Sequence, residues 1–125
     1  MKQVIVGTYD LGAESVVLIL RPGMGGDFHT RSDPPRKMPC ISVGADSGSW
    51  QKLVAWLVHE VVEVVMMRMG LRYVPDVDYA RDAAGYLFVE THAQHSEVCA
   101  RVGWFLADCL PDLNKAWKKW KKAKE

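Results

Sequence analysis

The sequence predicts an α+β fold, with a small antiparallel sheet from the N-terminal half packed on a helical C-terminal half that contains a buried motif helix. Three observations predict it. Residues 3–9 and 14–20 are short, β-branched-rich segments separated by Asp10-Leu11-Gly12-Ala13, the pattern of a hairpin. Residues 49–69 form a long apolar stretch between the N-cap candidates Asp46, Ser47 and Ser49 and the C-terminal glycine Gly70, which is how a helix is punctuated. Thr91-x-x-Gln94 is a capping-box signature that starts a second helix at His92.

The intervening text is less regular. Residues 21–38 carry Pro22, Gly23, Gly25, Gly26, Pro34 and Pro35 among scattered charges, so a long loop is expected. Residues 38–43 resume an extended segment, and Pro39, which cannot donate to a ladder, confines it to an edge position or a strand start. Residues 71–78 hold Pro75 and read as a connector. Residues 79–89 fit a short helix, although Tyr86-Leu87-Phe88-Val89 also fits a strand. The helix from His92 is expected to run to Cys109 and stop before Pro111. Residues 114–125 form a basic C-terminal tail with six lysines, Trp117 and Trp120.

Length and composition bound the function. A chain of 125 residues makes one domain, residues 1–125, large enough for its own core. It is 49% hydrophobic and 25% charged with five tryptophans, a globular composition. A net charge of +1 offers no global field to nucleic acid or an anionic membrane. Cys40, Cys99 and Cys109 are odd in number, widely spaced and free of any C-x-x-C pair. That is neither a disulfide framework nor a thiolate zinc site, and it predicts a reduced, cytoplasmic protein. The N-terminal residues lack the apolar run of a signal peptide. The longest apolar stretch, residues 53–69, is interrupted by His59, Glu60, Glu63 and Arg68, so no membrane span is expected.

Those interruptions are the candidate site. At 100° per residue, with His59 at zero, Glu63 falls at about 40° and Glu60 at about 100°. Trp56 and Met67 share their arc, and Val54, Val58, Val61 and Val65 lie opposite. A helix apolar on most sides is expected to be buried on most sides. Two carboxylates and an imidazole then sit within one turn among large apolar neighbours, where an isolated carboxylate costs several kcal/mol unless paired, protonated or metal-bound. Coordination of a divalent cation resolves that cost. His59 and Glu63, at i and i+4, project together as ligands, and Glu60 lies beside them as a base, the logic of H-E-x-x-H helices. The plainer alternative is ion pairing of His59 with Glu63, and of Glu60 with Arg72, Arg81 or Arg101. A second histidine cluster favours the metal: His92 and His95 share the expected core-facing stripe of Cys99, Val102 and Leu106, from which either imidazole would complete a two-His-one-Glu set with an open position for water.

The stretch from Ile41-Ser42-Val43-Gly44 through Leu53-Val54-Ala55-Trp56-Leu57-Val58-His59-Glu60-Val61-Val62-Glu63 resembles the compact zincin-like metallopeptidases of phages and mobile elements, the ImmA/IrrE-like and SprT-like groups among them. The resemblance covers residues 39–110 and implies a zinc site. His59 would be the first ligand, Glu60 the general base, Glu63 the occupant of the second-ligand position, and His92 or His95 the third ligand. The family carries histidine where Glu63 stands, and a carboxylate there weakens the ion as a Lewis acid.

The expected function is therefore a zinc-dependent hydrolase, peptidase-like, acting on a protein or peptide. Its substrate would pair with the edge segment 38–43, and the loop 21–37, with Asp27 and His29, would cover the cleft. The alternative is a catalytically inactive zincin-like binding protein, such as a phage-encoded modulator of a host protein, which Glu63 favours. Nucleic-acid binding would have to use the tail lysines with Trp117 and Trp120, and packing of those tryptophans on the domain is the preferred reading. A magnesium pyrophosphohydrolase built on Glu60-x-x-Glu63 would need a matching acidic pair on a second helix, and the β-rich first half argues against it.

Overall fold

A computed structural model describes residues 2–29, 38–73, 87–88 and 90–124. The N-terminal half forms β1 (Val4–Leu11), β2 (Glu14–Arg21), β3 (Gly26–His29) and β4 (Cys40–Gly44), and two helices follow, α1 (Trp50–Arg68) and α2 (His92–Lys124). A two-stranded antiparallel ladder of β5 (Arg72–Tyr73) and β6 (Leu87–Phe88) lies between the helices in sequence. The architecture is α+β, as expected, but the four-stranded sheet is mixed. Its order is β1-β2-β4-β3, with β2 and β4 parallel and the two outer pairings antiparallel. Two further expectations are corrected. The glycine-rich stretch after Arg21 is not loop throughout, because Gly26–His29 pairs with β4. Segment 38–43 is not an edge: β4 lies between β2 and β3, so both of its ladders are taken and no peptide can add to it. Pro39 immediately precedes the strand, the position a residue without an N–H tolerates, and its carbonyl accepts from Val17 N at 3.0 Å. Residues 30–37 of the expected loop, and most of the connector and of the 79–89 stretch, lie outside the described residues.

The helices follow their caps. Ser49 accepts from Lys52 N at 3.2 Å to start α1. At its other end Gly70, at φ +70°, lets Leu71 N reach Met66 O and Gly70 N reach Met67 O; this αL cap satisfies two orphan carbonyls. Thr91 and Gln94 make the reciprocal capping-box bonds, Thr91 N to Gln94 Oε1 at 2.8 Å and Gln94 N to Thr91 Oγ1 at 3.2 Å. The helix that begins there does not end at Cys109. It runs through Pro111 for 33 residues, about 50 Å at 1.5 Å per residue. A proline in a helix interior costs about 3 kcal/mol. Its apolar stripe outweighs that, because Val98, Val102, Phe105, Cys109, Leu113 and Trp120 hold one phase on both sides of the proline and are all buried. Just past it, Asp112 accepts a hydrogen bond from Tyr9 Oη at 2.7 Å, and the Tyr9 ring meets Phe105 edge-on. Burial and the Asp112 carboxylate together hold the Tyr9 phenol above its ordinary range.

One face of the sheet carries both helices. Val16, Leu18 and Leu20 of β2 and Ile41 and Val43 of β4 join Leu53, Leu57, Val61, Val64 and Val65 of α1 and the α2 stripe in one core. Period-two alternation sends Val17, Ile19 and Cys40 to the reverse face, where they form a second, smaller cluster. The basic tail is part of this packing. Trp120 is buried, Trp117 Nε1 donates to Ala45 O at 3.3 Å, Trp117 stacks obliquely on Trp50, and Lys124 Nζ lies 2.5 Å from Asp46. No helix among the described residues is long and apolar enough to cross a membrane.

Because Trp120 closes the far end of the core, Trp120→Ala is expected to lower unfolding free energy by about 3–5 kcal/mol. The exposed neighbour Lys118→Ala should stay within about 0.5 kcal/mol of the parent. Urea denaturation of the two variants checks both values.

Candidate metal centre

Helix α1 is buried along one arc only. Leu53, Leu57, Glu60, Val61, Val64, Val65 and Met66 face the sheet and α2, whereas Ala55, Trp56 and His59 are exposed. The expectation of burial on most sides is therefore corrected: among the described residues, only one arc is buried. The boundary passes through the motif. The His59 side chain is 60% exposed, Glu63 is 21% exposed and Glu60 only 8%.

The three side chains converge all the same. His59 Nε2 lies 3.4 Å from Glu63 Oε2 and 4.0 Å from Glu60 Oε1. One ligand atom from each lies within 4.8 Å of the others, the one such group of three among the described residues. Two ligands at zinc distances on a tetrahedral ion stand about 3.3 Å apart, so the His59–Glu63 separation fits a shared ion, while Glu60 lies slightly beyond it. The Trp56 ring meets the His59 ring edge-on at 6.0 Å, and both residues are exposed.

A glycine makes room for Glu60. In the β3–β4 register Gly26 is opposite Val43 and Phe28 opposite Ile41, so Gly26 and Phe28 share the core face. A Cβ on Gly26 would stand 2.9 Å from Glu60 Cγ and 3.2 Å from Ser42 O, so the carboxyl occupies space that any other residue would fill. Burial raises the Glu60 carboxyl above its ordinary range. The His59 charge opposes that shift, Glu63 and Asp27 add to it, and Arg21 acts against it. A carboxyl so placed is a better base once ionised than a solvated one.

Other expected participants stand elsewhere. Asp27 is opposite Ser42 and His29 opposite Cys40, so both point from the reverse face and do not cover a cleft over α1. Asp27 accepts from Ser42 Oγ at 2.6 Å, and Arg21 Nε donates to the same hydroxyl at 3.1 Å. His92 and His95 are exposed at the first turn of α2 and do not join the His59 group. The buried stripe of that helix begins only at Val98, so the first turn is exposed even at His95, which is in phase with Val98 and Val102. His95 pairs instead with Glu90. Of the arginines expected near Glu60, Arg101 bonds Glu97 at 2.8 Å, the Arg72 side chain and Arg81 lie outside the described residues, and an arginine that acts on Glu60, in addition to His59, is Arg21. Neither Gly26 nor Arg21 stood out in the sequence, because only the strand pairing brings them to α1.

Compared with known protein families, curated proteins and solved structures, the chain matches none.

Two outcomes follow from the Glu60 pocket. Gly26→Ala should destabilise the fold by about 1–3 kcal/mol, as overpacking does, and the loss should shrink in the Gly26→Ala/Glu60→Ala double variant. Glu60 is a carboxyl whose folded pKa is raised, so it costs stability above its unfolded pKa and nothing below it. Glu60→Gln should therefore raise the melting temperature of metal-free protein at neutral pH, with the gain disappearing as the pH falls below the carboxylate range. Thermal melts across pH test this, and an unchanged or lowered melting temperature at neutral pH counts against it.

Proposed function

We propose that the protein is a divalent-metal-dependent hydrolase, with zinc as the first candidate ion, in which His59 and Glu63 hold the metal and Glu60 is the general base. The observation that carries this reading is the convergence of an exposed imidazole, a half-buried carboxylate and a buried carboxyl on one turn of a rigid helix. A bound divalent cation would supply a Lewis acid that makes water acidic enough to lose a proton near neutral pH. Glu60, desolvated and 4.0 Å from His59 Nε2, would accept that proton and later return it to a leaving group. Trp56 and the exposed side of His59 leave the site open to a macromolecule, which favours a protein or peptide substrate. A cytoplasmic setting accords with three free cysteines.

A second reading rests on a specific observation. With Glu60 assigned as the base, and His92 and His95 outside the group, His59 and Glu63 are left as two ligands rather than the three of catalytic zinc sites. A binding protein on this scaffold, engaging a partner protein through the same surface, would need no more.

Calorimetric titration with zinc, manganese and cobalt decides between them. The hydrolase reading expects one ion per chain, a loss of affinity of about 10–100-fold on His59→Ala or Glu63→Ala, and retained binding with loss of peptide hydrolysis in Glu60→Gln. Absence of binding by the parent chain removes the metal proposal, and metal binding without hydrolysis favours the binding protein. Expulsion of the metal by Glu60→Gln would make Glu60 a ligand.

A further inference from the structure

Away from α1, three side chains at the start of α2 form a linear relay. A Glu90 carboxylate oxygen is hydrogen-bonded to His95 Nδ1, and the opposite ring nitrogen, Nε2, lies 3.5 Å from Cys99 Sγ. Helical i,i+4 spacing puts His95 and Cys99 on one face. The capping box of Thr91 and Gln94 fixes the first turn, so the chain enters with Glu90 alongside the ring. The second Glu90 oxygen is buried with no hydrogen-bond partner among the described residues, so the carboxylate is held on the imidazole rather than solvated. Since a carboxylate can only accept, His95 donates from Nδ1 and keeps Nε2 as an acceptor facing the thiol.

This is the order nucleophile, base, orienting carboxylate. It is not a metal arrangement, in which the donor atoms would face one point; here the thiol and the carboxylate stand at opposite ring nitrogens. We propose that Cys99 is a reactive thiol, with His95 its general base and Glu90 the positioning residue, and that it forms mixed disulfides with low-molecular-weight disulfides. The substrate class follows from what surrounds it. Acyl transfer needs donors aimed at a developing oxyanion, and the relay lies on an exposed helix face with no such donor pair directed at Cys99 among the described residues. Thiol–disulfide exchange keeps the developing charge on sulfur and needs a deprotonated, accessible thiol. Cys99 is exposed, whereas Cys40 and Cys109 are buried, and burial pushes the Cys109 thiol up to about 12.

The step balances. The Cys99 S–H proton passes to His95 Nε2 as the sulfur forms a bond to one sulfur of the incoming disulfide. The old S–S bond breaks, and the departing thiolate takes the proton from His95. Cys99 is oxidised to the mixed disulfide, and one sulfur of the incoming molecule is reduced to a thiol.

The test uses the full chain with glutathione disulfide, followed by intact mass and peptide mapping. One glutathione should attach, at Cys99, and Cys99→Ser should abolish it. His95→Ala should slow attachment by at least about tenfold with an unchanged melting temperature, and free imidazole should restore part of the rate. Glu90→Gln should slow it severalfold, and imidazole should not restore that loss, because the ring is still present. A His95→Ala rate within about twofold of the parent, a slowed rate that imidazole fails to lift, or attachment at Cys40 or Cys109 ahead of Cys99 would each overturn the proposal.

Discussion

The burial of a single arc of α1 against the β4–β3 side of the sheet is the constraint on which the site depends. Leu53, Leu57, Val61 and Val64 are sealed against Ile41, Val43 and α2. That packing fixes the rotation of the helix, because turning it by one residue would expose four large aliphatic side chains, at about 1.5–3 kcal/mol each. With the rotation fixed, position 60 must point inward and position 59, about 100° away, must point to water. A glutamate at position 60 is therefore desolvated by the packing of its neighbours, not by any preference of its own. Gly26 then decides whether it fits. The caps at Ser49 and Gly70 hold the helix ends, so neither fraying nor sliding relieves the carboxyl.

The second helix obeys the same rule at larger scale. Its stripe keeps phase from Val98 to Trp120, and this continuity carries the helix through Pro111, which lacks the N–H that would bond the carbonyl one turn back. Once the helix continues, the lysines fall into place: Trp117 and Trp120 turn to the domain, Lys121 lies over the Trp117 ring at 4.6 Å, and Lys124 meets Asp46. Aromatic faces engaged in this way are not offered to nucleotide bases, so the tail is a closing element of the core before it is a charged surface.

Local signals were readable from the residues. The hairpin at Gly12-Ala13, the Ser49 and Gly70 caps and the Thr91–Gln94 box are chemistry between near neighbours, and each stands where its residues place it. The convergence of His59, Glu60 and Glu63 is helical arithmetic and was legible for the same reason. What could not be read depends on partners distant in sequence. The parallel pairing of β2 with β4 inserts β4 between strands that precede it, and no local pattern in residues 38–44 distinguishes that from an edge. The reach of α2 beyond Pro111 depends on a stripe whose partner is β1, more than 100 residues away at the Tyr9–Asp112 bond. The exposure of His92 and His95 is not a matter of phase, since His95 shares the face of Val98 and Val102; burial along that face begins one turn later, at Val98, and where it begins is set by partners distant in sequence.

As a hydrolase site, the α1 cluster would have to join two requirements that oppose each other in an ordinary environment. A general base must be desolvated enough to hold a proton well, and it must also reach a substrate that arrives from water. Glu60 inside the boundary and His59 outside it would meet both on consecutive residues. The arrangement also ties occupancy to charge. Without a cation, burial and the neighbouring Glu63 and Asp27 favour the protonated carboxyl. In the proposed reading, a divalent ion held by His59 and Glu63 would be the largest local charge and would reverse that preference, so cation binding and ionisation of Glu60 are linked equilibria. The buried carboxyl would then be a stability cost chiefly in the metal-free protein, and the ion that polarises the water would also ready its base.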